Sequence, residues 1–208
     1  MKTLDVRKVG VANSIKEAIP VLRSGGVIIY PTDTVYGLGA DAENPKAVLK
    51  VYRLKNRPRS RFLTIAVCDL EMAGEYANIK GLEAFLERFL PGAATFILPK
   101  TERVIPEINP RAIGIRIPES IIVREIVKGL GRAITSTSAN RTSNPPPHSC
   151  LQAVKEIPGA DLALDCGVLL FRRPSTIVDL TRGKPSLVRE GPVSFKEIME
   201  AYRSLVDL

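Results

Sequence analysis

The stretch VIIYPTDTVYGLGADAENPKAVLKVYRLK, residues 27–55, holds a strand, a polar loop and a helix in that order. Residues 27–30 are too few and too β-branched for a helix, which predicts a buried strand. Asn44 followed by Pro45 is an N-cap and a first-turn proline, and the apolar residues after them recur at helical spacing. A strand that leads into a helix in this way is typical of an α/β fold.

Outward from this stretch, short β-branched runs alternate with helical patterns. Further strands are predicted over residues 63–67, 95–98, 113–117, 133–135, 176–180 and 186–189. An earlier helix is predicted to begin at Ser14, which forms a capping box with Glu17. Pro20 is expected to kink or shorten this helix, and Gly25 and Gly26 are expected to end it.

Two later helices and one loop complete the predicted elements. One helix covers residues 82–89, and the last follows Ser194, which forms a capping box with Glu197. Residues 141–149 contain three successive prolines and are predicted to form a loop.

The composition indicates a globular protein with a basic surface. The 208 residues are 45% hydrophobic and carry a formal net charge of +8, which favours anionic partners, although a basic surface that only aids solubility is an equal alternative. No apolar run approaches the roughly 20 residues of a membrane span, and no secretory signal is found, so we expect a cytoplasmic protein. The spacing of Cys68, Cys150 and Cys166 suits neither zinc nor redox chemistry and predicts small buried hydrophobes.

The segment PTDTVYGLGA, residues 31–40, directly follows the first predicted strand, and ligand crevices in α/β proteins open at strand ends. Residues 37–42, GLGADA, imitate a dinucleotide-binding fingerprint. The next helix starts only after Asn44, however, and the glycines lie far beyond the strand, which excludes the Rossmann interpretation. The P-loop pattern of a glycine-rich loop ending in Lys-Ser or Lys-Thr does not occur in the sequence.

Three further polar segments are candidates for ligand binding. KNRPRSR, residues 55–61, places four cations in seven residues and suits a polyphosphate, although such a cluster is more often a solvated turn. TSTSAN, residues 135–140, offers small hydroxyl and amide groups, which also often form turns. The runs at 174–180 and 187–191 form a pair of strands ending in an arginine. Arg116 is a lone charge in an apolar strand and requires a partner, either a structural carboxylate or a ligand.

Four motifs in this order, PTDTVYGLGA, KNRP, TSTSAN and STIVDL…VREG, resemble the YrdC family, whose characterised members are threonylcarbamoyl-AMP synthases. The resemblance extends over about residues 14–202. It implies an α/β fold, a YrdC-like single domain over residues 1–208, in which a strongly twisted mixed β-sheet with flanking helices encloses a concave basic cavity. The C-terminal domain of longer members is not expected here.

The resemblance also implies a reaction in which L-threonine, bicarbonate and ATP give threonylcarbamoyl-AMP and pyrophosphate. A separate transferase complex then modifies the adenosine beside the tRNA anticodon. Carried over by position, the residues implied to bind threonine are Thr34, Arg116, Ser136 and Ser175. Those implied to bind ATP are Lys55, Arg57, Arg61, Ser138, Asn140 and Arg189. Mg²⁺ is expected on the ATP phosphates, with no metal held by protein side chains.

We expect catalysis by positioning and electrostatics, with Lys55 and Arg57 as catalytic residues, because the sequence offers no credible general base. His148, the only histidine, follows three prolines and is predicted to be a solvated loop residue. Two positions depart from the family pattern: Ala66 stands where a histidine commonly lies near threonine, and Ala112 where a threonine often precedes the strand arginine. Each change removes a hydrogen bond typically worth about 0.5–1.5 kcal/mol.

A second hypothesis is a protein of the same fold that binds double-stranded RNA or tRNA and performs no adenylation. Recognition of RNA by shape needs only cations directed at the backbone, which the net charge could supply. Thr34, Ser136 and Ser175 distinguish the two hypotheses, because a small-ligand pocket requires such uncharged groups and phosphate binding does not.

Overall fold

Strands and helices alternate along the chain in a computed structural model that describes residues 1–170 and 173–206. The strands are β1 Lys2–Asp5, β2 Ile28–Tyr30, β3 Gly37–Gly39, β4 Thr64–Ala66, β5 Ala94–Pro99, β6 Ala112–Arg116, β7 Ile134–Thr135, β8 Thr137–Ser138, β9 Leu162–Asp165, β10 Thr176–Asp179 and β11 Ser186–Arg189. The helices are α1 Val6–Val9, α2 Val11–Arg23, α3 Pro45–Lys55, α4 Leu70–Tyr76, α5 Glu83–Glu87, α6 Ile121–Leu130, α7 Cys150–Glu156 and α8 Phe195–Val206.

The strands form two mixed sheets. One has the order β1-β9-β2-β3-β8 and the other β11-β10-β5-β6-β4-β7. The predicted mixed α/β class is confirmed, but the strands divide between two hydrogen-bonded sheets where one was expected. The consecutive strands β7 and β8 belong to different sheets, so Ser136, the residue between them, lies where the sheets meet. The single domain expected over residues 1–208 stays a prediction.

Helices cover the sheets and enclose two buried apolar clusters. The larger cluster includes Val48 and Val51 of α3 together with strand residues such as Ile65 and Phe96. In the smaller cluster, α2 and α6 pack against each other, and α2 packs against β2 and β9 of the first sheet. None of the helices in the described part of the chain has the length and apolar character needed to cross a membrane.

Two of the three helix starts predicted from capping side chains are confirmed. Asn44 Oδ1 accepts hydrogen bonds from Lys46 N and Ala47 N, at 3.1 and 3.2 Å, and α3 begins at the next residue, as expected. The capping box of Ser194 and Glu197 is also confirmed, because Ser194 Oγ accepts from Lys196 N in the first turn of α8 and Glu197 Oε2 accepts from Ser194 N. Residues 141–149 form the predicted loop.

The helix start predicted at Ser14 is wrong. The helix α2 begins at Val11, and the Ser14 hydroxyl lies inside it and donates to Gly10 O at 2.8 Å. A serine in a helix can bond the carbonyl four residues earlier, so it does not mark an N-cap by itself. Pro20 does not shorten the helix, since α2 continues past it to Arg23, close to the stop predicted at Gly25 and Gly26.

The two glycines of GLG serve the packing of a tyrosine. Gly37 and Gly39 lie in β3, which pairs antiparallel with β2, so they do not open a helix and the rejected dinucleotide fingerprint is indeed absent. A Cβ atom at either glycine would lie 2.6 Å from ring atoms of Tyr30. The glycines therefore leave room for that buried ring against the strand.

The cysteines and the histidine take no part in a cluster within the described residues. All three cysteines are free; Cys150 is buried as predicted, whereas Cys68 and Cys166 are half-buried. His148 lies in the loop before α7, as expected, and is half-buried.

Candidate active site

A cavity of about 150 Å³ opens where the two sheets meet. Its walls come from strand ends of both sheets and from the loops that follow β2 and precede β10. The lining residues are Thr32, Val35, Gly37, Arg57, Phe62, Leu63, Thr64, Thr95, Arg116, Ser136, Thr137, Ser138, Pro174, Ser175, Ile177 and Arg189. This lining, within the described part of the chain, contains three arginines and no carboxylate, so it favours an anionic ligand.

Arg116 ends β6 and is almost fully buried. Its Nη2 atom donates hydrogen bonds of 2.8 Å to Asp33 Oδ1 and to Thr34 Oγ1. Thr32 fixes the loop that carries both acceptors, because its Oγ1 accepts from Thr34 N and Val35 N. The Nε atom of Arg116 has no hydrogen-bond partner among the described residues. Asp33 is thus the required carboxylate partner, and further guanidinium N–H groups are left for a ligand.

Ser175 immediately precedes β10 and is held from two sides. Its hydroxyl oxygen lies 2.8 Å from that of Thr95 in the neighbouring strand β5. Arg189, at the end of β11, donates from Nε and Nη2 to Ser175 O at 3.0 and 2.8 Å. Burial, followed by the nearby charge of Arg116, lowers the pKa of Arg189. An arginine with a lowered pKa still stays charged at neutral pH, so this wall presents a fixed positive charge beside a fixed hydroxyl.

Ser136 and Ser138 line the cavity at the crossing between the sheets. Ser136 N donates to Thr64 O at 2.7 Å, and the Thr64 hydroxyl donates back to Ser136 O. This reciprocal pair links the TSTSAN segment to β4.

Burial raises the pKa of Tyr30, which lies near Ser136, to about 12. Its hydroxyl therefore stays neutral and is no base at physiological pH.

Arg57 is the member of the basic segment that lines the cavity. Its Nε donates to Arg61 O at 2.7 Å and its Nη2 to Phe62 O at 2.8 Å, which fixes the half-buried guanidinium. Burial is the main cause that lowers the pKa of Arg57, and the charge of Arg61 adds to it. The Arg61 side chain itself is exposed and lies outside the lining.

Lys55 lies behind the cavity wall. Its side chain is only 1% exposed, and its Nζ donates to Ser138 O and, at 2.7 Å, to Asn140 O. Burial and the charge of Arg57 lower the pKa of Lys55 to about 7, although Glu156 opposes the shift. The solvated-turn alternative for the basic segment therefore does not hold for this residue.

Six of the ten predicted site residues line the cavity: Arg57, Arg116, Ser136, Ser138, Ser175 and Arg189. Thr34 is buried behind the lining against Arg116, and Asn140 is buried next to Lys55. The ligand contacts themselves stay predictions. Sequence reasoning missed Thr64 and Thr95, for which the available signal was a hydroxyl inside an otherwise apolar predicted strand.

Ala66 and Ala112 occupy the positions that depart from the family pattern. Ala66 is fully buried and pairs in register with Arg116 across β4 and β6. It is two residues from Thr64, which lines the cavity, so the two side chains lie on the same face of β4. Ala112 begins β6, four residues before Arg116.

The described residues contain no group of three or more His, Cys, Asp or Glu side chains that could hold a metal ion. Near the cavity, Asp33 is already paired with Arg116. A Mg²⁺ ion bound mainly by these side chains does not fit this donor set, whereas one that arrives on substrate phosphates needs no such ligands.

Comparison of sequences gives one family model, Sua5/YciO/YrdC, described as telomere recombination, which matches residues 20–191. A putative threonylcarbamoyl-AMP synthase of Methanocaldococcus jannaschii is 34% identical over 177 residues, which is 84% of either chain.

Two solved structures resemble the chain over most of its length. Sua5 of Pyrococcus abyssi in complex with L-threonine superposes with a TM-score of 0.85 at 31% identity and covers 90% of this chain. The chain spans 56% of that protein. YciO of Escherichia coli superposes with a TM-score of 0.82 at 29% identity, and the match covers 89% of this chain and 93% of YciO.

Proposed function

This chain belongs to the Sua5/YciO/YrdC family, and on that premise we propose that it is a threonylcarbamoyl-AMP synthase. The observation that carries the proposal is the convergence of Arg57, Arg116 and Arg189 with the hydroxyls of Ser136 and Ser175 in one cavity. Relatives named for this activity, and a similar protein solved with L-threonine, support the same assignment.

The reaction brings several anions together. The threonine nitrogen bonds to the carbon of bicarbonate with loss of water, and a carbamate oxygen then bonds to the α-phosphorus of ATP. The bond from that phosphorus to the pyrophosphate oxygen breaks, and pyrophosphate leaves. Carboxylate, carbamate and triphosphate would repel one another in a cavity without cations, and the three arginines offset that repulsion.

Threonine is assigned to the side of the cavity formed by Arg116, Ser136 and Ser175, with Thr34 behind it against Arg116. The unpartnered Nε of Arg116 supplies a donor for the amino-acid carboxylate. The fixed hydroxyl of Ser175 suits a small polar side chain. A cavity of about 150 Å³ is comparable in size with engineered cavities that accept benzene, and so is adequate for an amino acid.

ATP is assigned to the side formed by Arg57, Arg189 and Ser138, with Asn140 and Lys55 behind it and Arg61 outside the lining. Arg57 and Arg189 are charged and fixed by backbone carbonyls, which suits oxygens of a triphosphate. The Mg²⁺ expected with ATP is part of the substrate, MgATP, and is held by phosphate oxygens. Catalysis then rests on positioning and on charge stabilisation rather than on a general base.

The product is an activated carbamoyl adenylate, which requires an acceptor. The acceptor implied by the family is the adenosine beside the tRNA anticodon, with the transfer carried out by a separate complex. We place this step in the cytoplasm.

Pyrophosphate release from ATP and bicarbonate tests the proposal. Release that requires L-threonine, and that is weaker with L-serine and absent without an amino acid, is the expected result. The matched variant Arg116→Met should lose the threonine-dependent release, whereas substitution of the exposed Lys46 by Met should leave it unchanged. Release that is independent of any amino acid would contradict the proposal.

Binding of double-stranded RNA without adenylation is the second candidate. The resemblance to YciO, whose name specifies no substrate, leaves this candidate for the assay to decide. The lining favours the synthase, because it includes Ser136 and Ser175, uncharged groups that a small-ligand pocket requires and phosphate-backbone binding does not. Steeply salt-dependent RNA binding without pyrophosphate release would favour RNA recognition.

A further inference from the structure

Lys55 makes three hydrogen bonds to one short segment. It is the last residue of α3, and its Nζ donates to the carbonyl oxygens of Ser138 and Asn140. Its own carbonyl accepts from Thr142 N at 2.7 Å. Residues 138–142 are thus attached to the end of α3 through a single side chain and its backbone, and Ser138 in that segment lines the cavity.

The placement of Lys55 differs from that of the other cations in the basic segment. Arg57 reaches the cavity, and the side chains of Arg59 and Arg61 are exposed, whereas Lys55 is 1% exposed and lies outside the lining. Two N–H groups of the Lys55 amine are already used in the hydrogen bonds to Ser138 O and Asn140 O. Burial lowers the pKa of Lys55 to about 7, yet a neutral amine keeps two N–H groups, so both carbonyls remain satisfied in either protonation state.

The segment that Lys55 holds carries two groups for a ligand. The Ser138 side chain lines the cavity. Asn140 is buried, its Nδ2 donates to Arg141 O and Asn144 O, and its Oδ1 has no partner among the described residues. A buried acceptor without a partner costs free energy unless a donor reaches it, which points to a ligand donor at this position.

We infer that Lys55 is a positioning residue of the nucleotide site, which acts by fixing Ser138 and Asn140 and not by binding phosphate itself. The inference rests on the proposed function, because it takes ATP as the ligand. The charge that contacts phosphate then comes from Arg57 and Arg189, both of which line the cavity.

A double-mutant cycle on ATP affinity, measured by calorimetry, tests the inference. Lys55→Met should weaken ATP binding about tenfold in the wild-type background. In a background that carries both Ser138→Ala and Asn140→Ala, the same substitution should weaken binding by less than about twofold, because it acts through two groups that are already removed. Arg59→Met serves as the matched control, since it removes an exposed cation of the same segment, and should change affinity by less than about twofold.

Equal losses in both backgrounds would overturn the inference, because a direct phosphate contact is additive with Ser138 and Asn140. An unchanged affinity in Lys55→Met would also overturn it. Amide hydrogen exchange distinguishes a failure of the Lys55 inference from a failure of the proposed function. If the wild-type protein binds no ATP, the proposed function fails, while faster exchange at residues 139–142 in Lys55→Met still reports the positioning contact.

If Lys55→Met does not fold, labelling of the wild-type protein with an amine reagent tests whether the Lys55 amine is buried away from the nucleotide. Lys55 should react at least about tenfold more slowly than the exposed Lys46 of the same helix, with ATP and without it. Rapid labelling without ATP would show that the amine is not held in the buried contact, and protection of Lys55 by ATP would show that the amine reaches the nucleotide. Either result would overturn the inference.

Discussion

Arg116 Nη2 donates a 2.8 Å hydrogen bond to Asp33 Oδ1, and both side chains are about nine-tenths buried or more. From the sequence, the partner of the Arg116 guanidinium could be either a carboxylate or a ligand. The structure provides the carboxylate and leaves Nε without a partner among the described residues. The ion pair therefore holds the guanidinium charge in an apolar strand while part of its donor set remains available to substrate.

Removal of either member of this pair should have different effects on stability and activity. Arg116→Met leaves the buried Asp33 carboxylate without its cation and should lower the free energy of unfolding by about 3–5 kcal/mol. Asp33→Asn keeps a polar group of the same shape but no longer holds the guanidinium by charge. It should raise the KM for threonine about tenfold, the size expected for one charge-assisted hydrogen bond.

The double variant Asp33→Asn, Arg116→Met is the control for the ion pair. It should regain most of the stability lost in Arg116→Met, as measured by urea unfolding, but none of the threonine-dependent pyrophosphate release. A double variant as unstable as Arg116→Met would contradict the pairing of these two residues.

Thr95 should contribute to activity through Ser175. Thr95→Val removes the hydroxyl 2.8 Å from Ser175 Oγ and should lower the free energy of unfolding by about 1 kcal/mol and pyrophosphate release several-fold. Thr181→Val makes the same chemical change at a hydroxyl bonded to Asp179 outside the cavity lining, and should leave turnover unchanged. Equal turnover in the two variants would show that Thr95 does not position Ser175.

Gly191 should tolerate no side chain. A Cβ atom there would lie 2.3 Å from Pro174 O and 2.4 Å from Thr176 N, both of which are backbone atoms of the cavity wall. Gly191→Ala should therefore displace Ser175, abolish pyrophosphate release and lower the free energy of unfolding by about 1–3 kcal/mol. Gly74→Ala is the control, because its Cβ would make only ordinary contacts in α4, and it should leave activity intact with a slightly higher melting temperature.

The buried amine of Lys55 should make stability depend on pH. Folded Lys55 loses its proton above pH 7, whereas in the unfolded chain it keeps the proton up to about 10.5. Between these values the unfolded state binds more protons, so the free energy of unfolding rises with pH, by at most about 1.4 kcal/mol per pH unit. Wild-type protein should therefore gain stability relative to Lys55→Met between pH 7 and 9.5, as measured by urea unfolding. Parallel curves would contradict a depressed pKa.

Elements with local signals could be predicted from sequence alone. The cap at Asn44 and the capping box at Ser194 fix the helix starts through short-range hydrogen bonds, and both are where the sequence indicated. Ser14 shows the limit of the same reasoning, because its hydroxyl bonds a carbonyl within the helix. The strand β3 was missed because glycine has a low strand propensity. The two glycines are required there by the close approach of the Tyr30 ring.

The site could be predicted in part because its residues lie at strand ends. Arg116 and Arg189 end strands, and Ser175 precedes one, so the sheet pairing brings them to one edge. The burial of each cationic side chain could not be predicted from the sequence in the same way. Lys55 belongs to a run of four cations in the sequence, two of which are exposed, and only the packing of residues 138–142 against the end of α3 buries it.

Mass spectrometry of a reaction with ¹³C-labelled bicarbonate shows whether threonine, bicarbonate and ATP are joined in this cavity. We expect threonylcarbamoyl-AMP that carries the label, formed only when L-threonine is present and lost in Arg116→Met. A reaction that contains all three substrates and yields no labelled adenylate would rule out the synthase.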